Sequence, residues 1–267
     1  MEIYQIVGYI LAVFVGITLG MLGSGGSILS VPILVYIMGI EPVLATAYSL
    51  FVIGTTSLVG GIHKAKQKLV DFNKVMLFGI PAVISVFVSR KVLVPKIPEI
   101  IFSSDDFTLS KSVLIMVVFA IVMVFASVRM IKKKKKKLVS NDEKLNYYKI
   151  AFLGICIGLI SGFVGAGGGF LIVPTLLFFA KTQMKMAVGT SLFIVSLQSL
   201  IGFTGDVMSN QNIDWMLLIY FALASIFGIF IGNFISKKVA DNKLKIGFGW
   251  FVLAMGIYII IREFFFS

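Results

Sequence analysis

Gly16 to Leu34 reads GITLGMLGSGGSILSVPIL, and 142 residues later Gly158 to Leu176 reads GLISGFVGAGGGFLIVPTL. Nine of the 19 aligned positions are identical: Gly16/Gly158, Gly20/Gly162, Gly23/Gly165, Gly25/Gly167, Gly26/Gly168, Leu29/Leu171, Val31/Val173, Pro32/Pro174 and Leu34/Leu176. Single glycine matches in apolar sequence say little, but nine in register with a proline among them point to duplication. The same offset pairs Ala45 with Ala187, Ser49-Leu50-Phe51 with Ser191-Leu192-Phe193, and Ser57 with Ser199. One residue of slippage then pairs Asp71-Phe72 with Asp214-Trp215.

The sequence around these copies is apolar throughout. Of 267 residues 58% are hydrophobic and 13% charged, and the mean hydropathy is +1.03. Soluble domains carry about 25% charged residues, and one core of this size could not hide so much apolar surface. An ordinary soluble enzyme and a disordered chain are excluded. The single cysteine, Cys156, excludes a disulfide scaffold. The net charge of +12 does not imply nucleic acid, because no polar face interleaves aromatic and basic residues.

A membrane-spanning helix needs about 20 apolar residues. Eight stretches approach that length: 4–22, 42–61, 71–90, 111–131, 148–164, 184–204, 214–236 and 244–261. Two shorter ones, 27–40 and 169–180, each follow a glycine cluster. At 1.5 Å per residue they fall short of a ~30 Å hydrocarbon core. They read as half-helices, tilted short spans or re-entrant pieces. Polar connections are expected at 62–70, 91–110, 132–147, 205–213 and 237–243. The lysine run Lys132 to Lys137 divides the chain into a first repeat (1–131), a cytoplasmic linker (132–147) and a second repeat (148–267). The expected fold is an all-α, polytopic helical bundle of two homologous repeats, embedded in a lipid bilayer.

Charge placement bears on orientation. If the short segments do not cross, the repeats are parallel, with 14 Lys and Arg inside and 10 outside. If they cross, the repeats are inverted and the tally is 19 inside against 5 outside. Positive charge collects on the cytoplasmic side, which favours the inverted arrangement.

The glycine clusters suggest the chemistry. Gly23-Ser24-Gly25-Gly26 is expected to open a helix at Ser27, and Gly165-Ala166-Gly167-Gly168-Gly169 one at Phe170. Glycine lets a ligand approach the backbone. A helix N-terminus offers free N–H groups and partial positive charge, which suits an anion. Inverted repeats can aim two such breaks at one midplane point. The alternative is that the glycines only let helices pack closely. Hydroxyl and amide groups nearby extend the candidate substrate-binding set: Thr46 and Ser49 in the first half, Thr190, Ser191 and Gln198 in the second. Bonding back to a helix carbonyl is the alternative for the hydroxyls. Asp71 and Asp214 read as N-caps. No ionisable residue falls in the middle of a long segment, so the site is expected to lack a basic side chain.

Together, Gly20-x-x-Gly23-Ser24-Gly25-Gly26 through Val31-Pro32, its partner Gly162-x-x-Gly165-Ala166-Gly167-Gly168-Gly169 through Val173-Pro174, and the downstream Ala45-Thr46-Ala47-Tyr48-Ser49-Leu50 and Ala187-Val188-Gly189-Thr190-Ser191-Leu192 resemble the sulfite exporter TauE/SafE family of bacterial integral membrane permeases. The resemblance runs the full length of the chain. It implies a multi-pass protein of the bacterial cytoplasmic (inner) membrane that moves a small sulfur-containing anion, such as sulfite, a sulfonate or sulfoacetate, with no cofactor or metal. It leaves a homo-oligomer open. Two departures bear on the first half's cavity wall: Tyr48 stands where the other repeat has Thr190, and 79–90 lacks counterparts of Gly228 and Gly232.

Two other classes compete with an anion permease. One is a channel or a transporter of another small organic anion. The other is an intramembrane serine hydrolase, with Ser24 as nucleophile and His63 as base. Against the hydrolase, the second repeat has Ala166 in place of Ser24.

Overall fold

In the computed structural model, residues 3–104, 107–131, 147–178, 180, 182–208, 213–236 and 241–265 are described. The linker and its lysine run lie outside them.

The fold is a helical bundle. Helix α1 (Ile3–Leu22) runs into a 3-10 helix (Gly23–Leu29), a single turn α2 (Ser30–Pro32) and a π turn (Ile33–Ile37). After a break come α3 (Pro42–Lys66) and α4 (Phe72–Val88). A second π turn (Ser89–Leu93) and the short α5 (Val94–Lys96) extend α4. Then follow α6 (Lys111–Ile131), α7 (Tyr147–Val164), α8 (Gly169–Phe178), α9 (Met184–Val207), α10 (Trp215–Ile235) and α11 (Asp241–Phe265). Six helical stretches among the described residues are long and apolar enough to cross a membrane. Their outer faces carry exposed Phe14, Phe125 and Phe227, as a surface in contact with lipid does. The molecule is a multi-pass integral membrane protein.

The starts of the long helices follow from local chemistry. Glu41 accepts hydrogen bonds from the Val43 and Leu44 N–H groups at 3.0 Å, with Pro42 at the first helical position. Asp71 accepts from Lys74 N–H, and Asp214 from Leu217 N–H, as the N-cap reading expects.

Two elements differ from the sequence expectation. The polar connection at 91–110 holds a two-stranded antiparallel hairpin, β1 (Ile100–Ser104) and β2 (Phe107–Ser110). Its Ile and Phe residues are spaced too briefly to register as a segment. The first glycine cluster does not precede a helix starting at Ser27. It is itself wound into the 3-10 helix, because Gly26 lies against the Thr18 and Leu19 backbone, where a Cβ would strike it.

Helix pairing is set by small residues, as in membrane bundles generally. Helix α1 packs on α10, and α7 packs on α4. A Cβ at Gly16 would fall 2.8 Å from the Ile229 nitrogen, and one at Gly20 would fall 2.7 Å from that of Asn233, so α1 and α10 run the same way. Gly154 meets Phe78, Gly158 meets Ala82 and Ser85, and Gly162 meets Ser89, so α7 and α4 also run together. The central pair α3 and α9 is antiparallel: Gly54 lies against Leu200, Gly61 against Phe193, and Gly189 against Leu69. One sequence departure is thereby explained. Gly228 and Gly232 press on Val13 and Ile17, and at the α4–α7 contact Ser85 and Ser89 are the small residues that face glycines.

Candidate functional site

The two glycine breaks meet. The buried Ser24 hydroxyl donates to the Gly169 carbonyl at 3.0 Å, and a Cβ on Gly169 would strike the Ser24 backbone. Gly23 and Gly165 both adopt left-handed backbone, φ +68° and +73°, which is strained for any residue with a Cβ. These turns let the chain reverse without a loop reaching the surface. Gly23 then lies against Val188 of α9, and Gly165 lies against Thr46 of α3. Ala166 is fully buried in the apolar core.

Helices α3 and α9 pass beside this junction. Gln198 donates to Ser161 Oγ at 3.3 Å and to the Gly167 carbonyl. A Cβ at Gly167 would come within 3.0 Å of both Ile53 and Ser199 Oγ, and one at Gly168 would meet Ser161. The elements that meet here carry many buried polar groups. Ser27, Ser30, Ser49, Thr56, Ser57 and Ser199 are fully buried, and their hydroxyls have no hydrogen-bond partner among the described residues. The Gln198 carbonyl oxygen is in the same condition. A buried polar group without a partner costs about 1–3 kcal/mol, so such a cluster is retained against stability.

The candidate residues divide under this geometry. Ser27, Ser49 and Gln198 lie in the polar junction with unpartnered atoms. Thr46 and Ser191 bond back to the carbonyls of Val43 (2.7 Å) and Val188 (2.8 Å). Thr190 Oγ1 accepts the Asp71 N–H at 2.9 Å, at the start of α4 and away from the junction. Gly26 and Gly169 are explained by close packing, whereas Gly25 has only Leu22 near it, at 3.7 Å. Thr56, Ser57 and Ser199 were not singled out as site residues, although the Ser57/Ser199 match and the placement of Thr56 opposite Gln198 in the repeat offset could have found them.

Two segment ends differ from the sequence reading. Arg90 and Asp206 form an ion pair, Nη1 to Oδ1 at 3.3 Å, and both side chains are buried. Hydropathy ends the segment at Arg90, but the π turn and α5 carry that span on to Lys96. Asp206 was placed in a connection, but α9 continues to Val207. Hydropathy cuts a segment at a charge, whereas here the two charges are buried against each other at the helix ends.

The hydrolase pair is not assembled. Ser24 is bonded to Gly169, and the His63 ring lies 2.9 Å from Gln67 Nε2 at the far end of α3. Among the described residues no group of three or more His, Cys, Asp or Glu is placed to hold a metal.

A polytopic bundle with two broken segments meeting at a buried polar junction defines a membrane transport protein. The profile of the Sulfite exporter TauE/SafE family matches residues 9–259, and the chain belongs to that family. It is 27% identical over 255 residues to a probable membrane transporter protein of Xylella fastidiosa (strain 9a5c), covering 93% of this chain and 92% of that one. It is 26% identical over 260 residues to the probable membrane transporter protein YunE of Bacillus subtilis (strain 168), covering 88% and 91%. A probable membrane transporter protein of Methanocaldococcus jannaschii, MJ0441, is 33% identical over 115 residues, 41% of this chain. No solved structure matches the chain.

Proposed function

We propose that the chain is a permease for a small sulfur-containing anion of the sulfite, sulfonate or sulfoacetate type, working by alternating access between two inverted repeats in a bacterial inner membrane. The observation that carries this reading is the meeting of Ser24 with Gly169, beside buried hydroxyls of α3 and α9 that lack protein partners. Hydroxyl, amide and backbone N–H donors suit an oxyanion, and unwound backbone at membrane depth is tolerated only beside protein or a watered cavity.

The antiparallel passage of α3 against α9 supports inversion, since these helices occupy equivalent places in the two repeats. The 19-to-5 charge tally agrees with it. The family name supports the sulfur-containing class. The test is thermal unfolding of the purified chain with sulfite, thiosulfate, sulfonates, carboxylates and phosphate, followed by flux into liposomes. A ligand that binds only the native state raises stability. Selective stabilisation by sulfur oxyanions, with saturable and competed flux, is expected. Non-saturating flux would favour a channel, and selective stabilisation by carboxylates would move the substrate to another organic anion.

A further inference from the structure

The buried ion pair that hydropathy passed over carries a second step. Arg90 lies within the span Phe72–Lys96 and Asp206 within Met184–Val207. Both lie toward the ends of those spans, where a buried ionisable pair can stand at the mouth of a substrate or ion path. A guanidinium is a planar fork of five N–H donors that fits two oxygens side by side. Here Asp206 engages Nη1 alone, at 3.3 Å. Arg90 Nε and Nη2, which form one edge of the fork, have no hydrogen-bond partner among the described residues, nor does Asp206 Oδ2.

That open edge lies at the second glycine break. A Cβ on Gly165 would fall 2.5 Å from Arg90 Nη2 and would also strike Thr46. Any other residue at 165 would therefore fill the space beside the guanidinium. The arrangement exists once. The repeat offset puts Asn233 where Arg90 stands and Lys64 where Asp206 stands.

We propose that Arg90 is the anion-recognising side chain at one mouth of the pathway, gripping two oxygens of an oxyanion on Nε and Nη2 beside Gly165, while Asp206 holds the guanidinium in place through Nη1. This rests on the anion-permease reading and names a residue for it. Asp206 orients the fork but also repels the anion. The ligand class is a small oxyanion with two or more oxygens on one centre, so chloride is a poor fit.

The experiment is thermal unfolding of the full chain with sulfite, methanesulfonate or chloride, in wild type, Arg90→Lys and Asp206→Asn. Wild type is stabilised by the oxyanions and not by chloride. Arg90→Lys keeps the charge but loses the fork, and its apparent affinity falls about tenfold or more. Asp206→Asn binds as tightly as wild type or more tightly. An Arg90→Lys protein that folds and binds oxyanions like wild type overturns the proposal and leaves the permease reading intact. A wild type that no anion stabilises removes the permease reading itself. Arg90 is fully buried in this structure, so the proposal requires a state that opens it to the anion; should the variants not fold, phenylglyoxal labelling of the wild-type chain, read by mass spectrometry, detects that state. The chain has three arginines, Arg90, Arg129 and Arg262. Methanesulfonate slows labelling at Arg90 and not at Arg262. Unchanged labelling, or none at Arg90 without the anion, overturns the proposal.

Discussion

The Asp214 backbone N–H donates to the Tyr48 hydroxyl at 2.6 Å, bridging the start of α10 to α3. Its counterpart in the repeat offset is the Asp71 N–H donating to Thr190 Oγ1 at 2.9 Å, bridging the start of α4 to α9. Tyr48 and Thr190 differ in size but supply the same acceptor. The Tyr-for-Thr difference between the repeats thus keeps one hydrogen-bond role. Tyr48→Phe removes that acceptor, which is worth about 1 kcal/mol, and lowers the melting temperature by roughly 2–4 °C. Thr190→Val shows a similar loss. Scanning thermal unfolding of both variants checks this, and a stability equal to wild type would mean neither bond is formed.

Topology gives a sharper test of the repeat relationship. With the repeats inverted, the Lys68 end of α3 is cytoplasmic, and the Met208 end of α9 faces outward. A reporter fused after Lys68 is expected to give a cytoplasmic signal, and one fused after Met208 an external signal. Cytoplasmic signals at both sites would mean that α3 and α9 leave the membrane on the same side, contrary to their antiparallel packing.

Much of the bundle was legible because apolar length and duplication report on the same thing. Helix α6 coincides with its expected span, and α1 and α7 differ by one residue. The glycines at 16, 20, 158 and 162 stand out in the sequence as repeat matches, and in the structure they are points of close helix approach. What could not be read depends on partners distant in sequence. Arg90 looks like the end of its segment until Asp206 is placed beside it. Thr190 looks like a site hydroxyl until Asp71 arrives from 119 residues away. The 3-10 winding of Gly23–Leu29 likewise follows from packing on Thr18, which no local propensity encodes.

The glycines of the two breaks are not equivalent, and alanine separates them. At Gly165 the backbone is left-handed and a Cβ would collide with Thr46 and Arg90. Gly165→Ala combines roughly 1–2 kcal/mol of backbone strain with about 1–3 kcal/mol of overpacking, so a large drop in folded yield is expected. At Gly25 the backbone has ordinary φ and a Cβ would meet only Leu22 at 3.7 Å. Gly25→Ala should fold within about 0.5 kcal/mol of wild type. Size-exclusion profiles and unfolding curves measure the contrast. Equal behaviour of the two variants would show that the Gly165 turn is not held as described.

The polar junction holds groups with protein partners and groups without them. Gln198 bonds Ser161 and the Gly167 carbonyl. Gln198→Leu therefore orphans a buried carbonyl, at about 1–3 kcal/mol, and its melting temperature falls with or without an anion present. Thr56 stands at the equivalent place on α3, but its hydroxyl has no partner among the described residues to lose. Thr56→Val removes an unsatisfied buried hydroxyl with little change in volume, so the ligand-free protein should be as stable as wild type or slightly more so. If that hydroxyl serves the anion, the stabilisation by sulfite shrinks in Thr56→Val although the starting stability does not. Unfolding curves of both variants, with and without sulfite, read the two effects separately. A Thr56→Val protein with full sulfite response would remove this hydroxyl from the pathway.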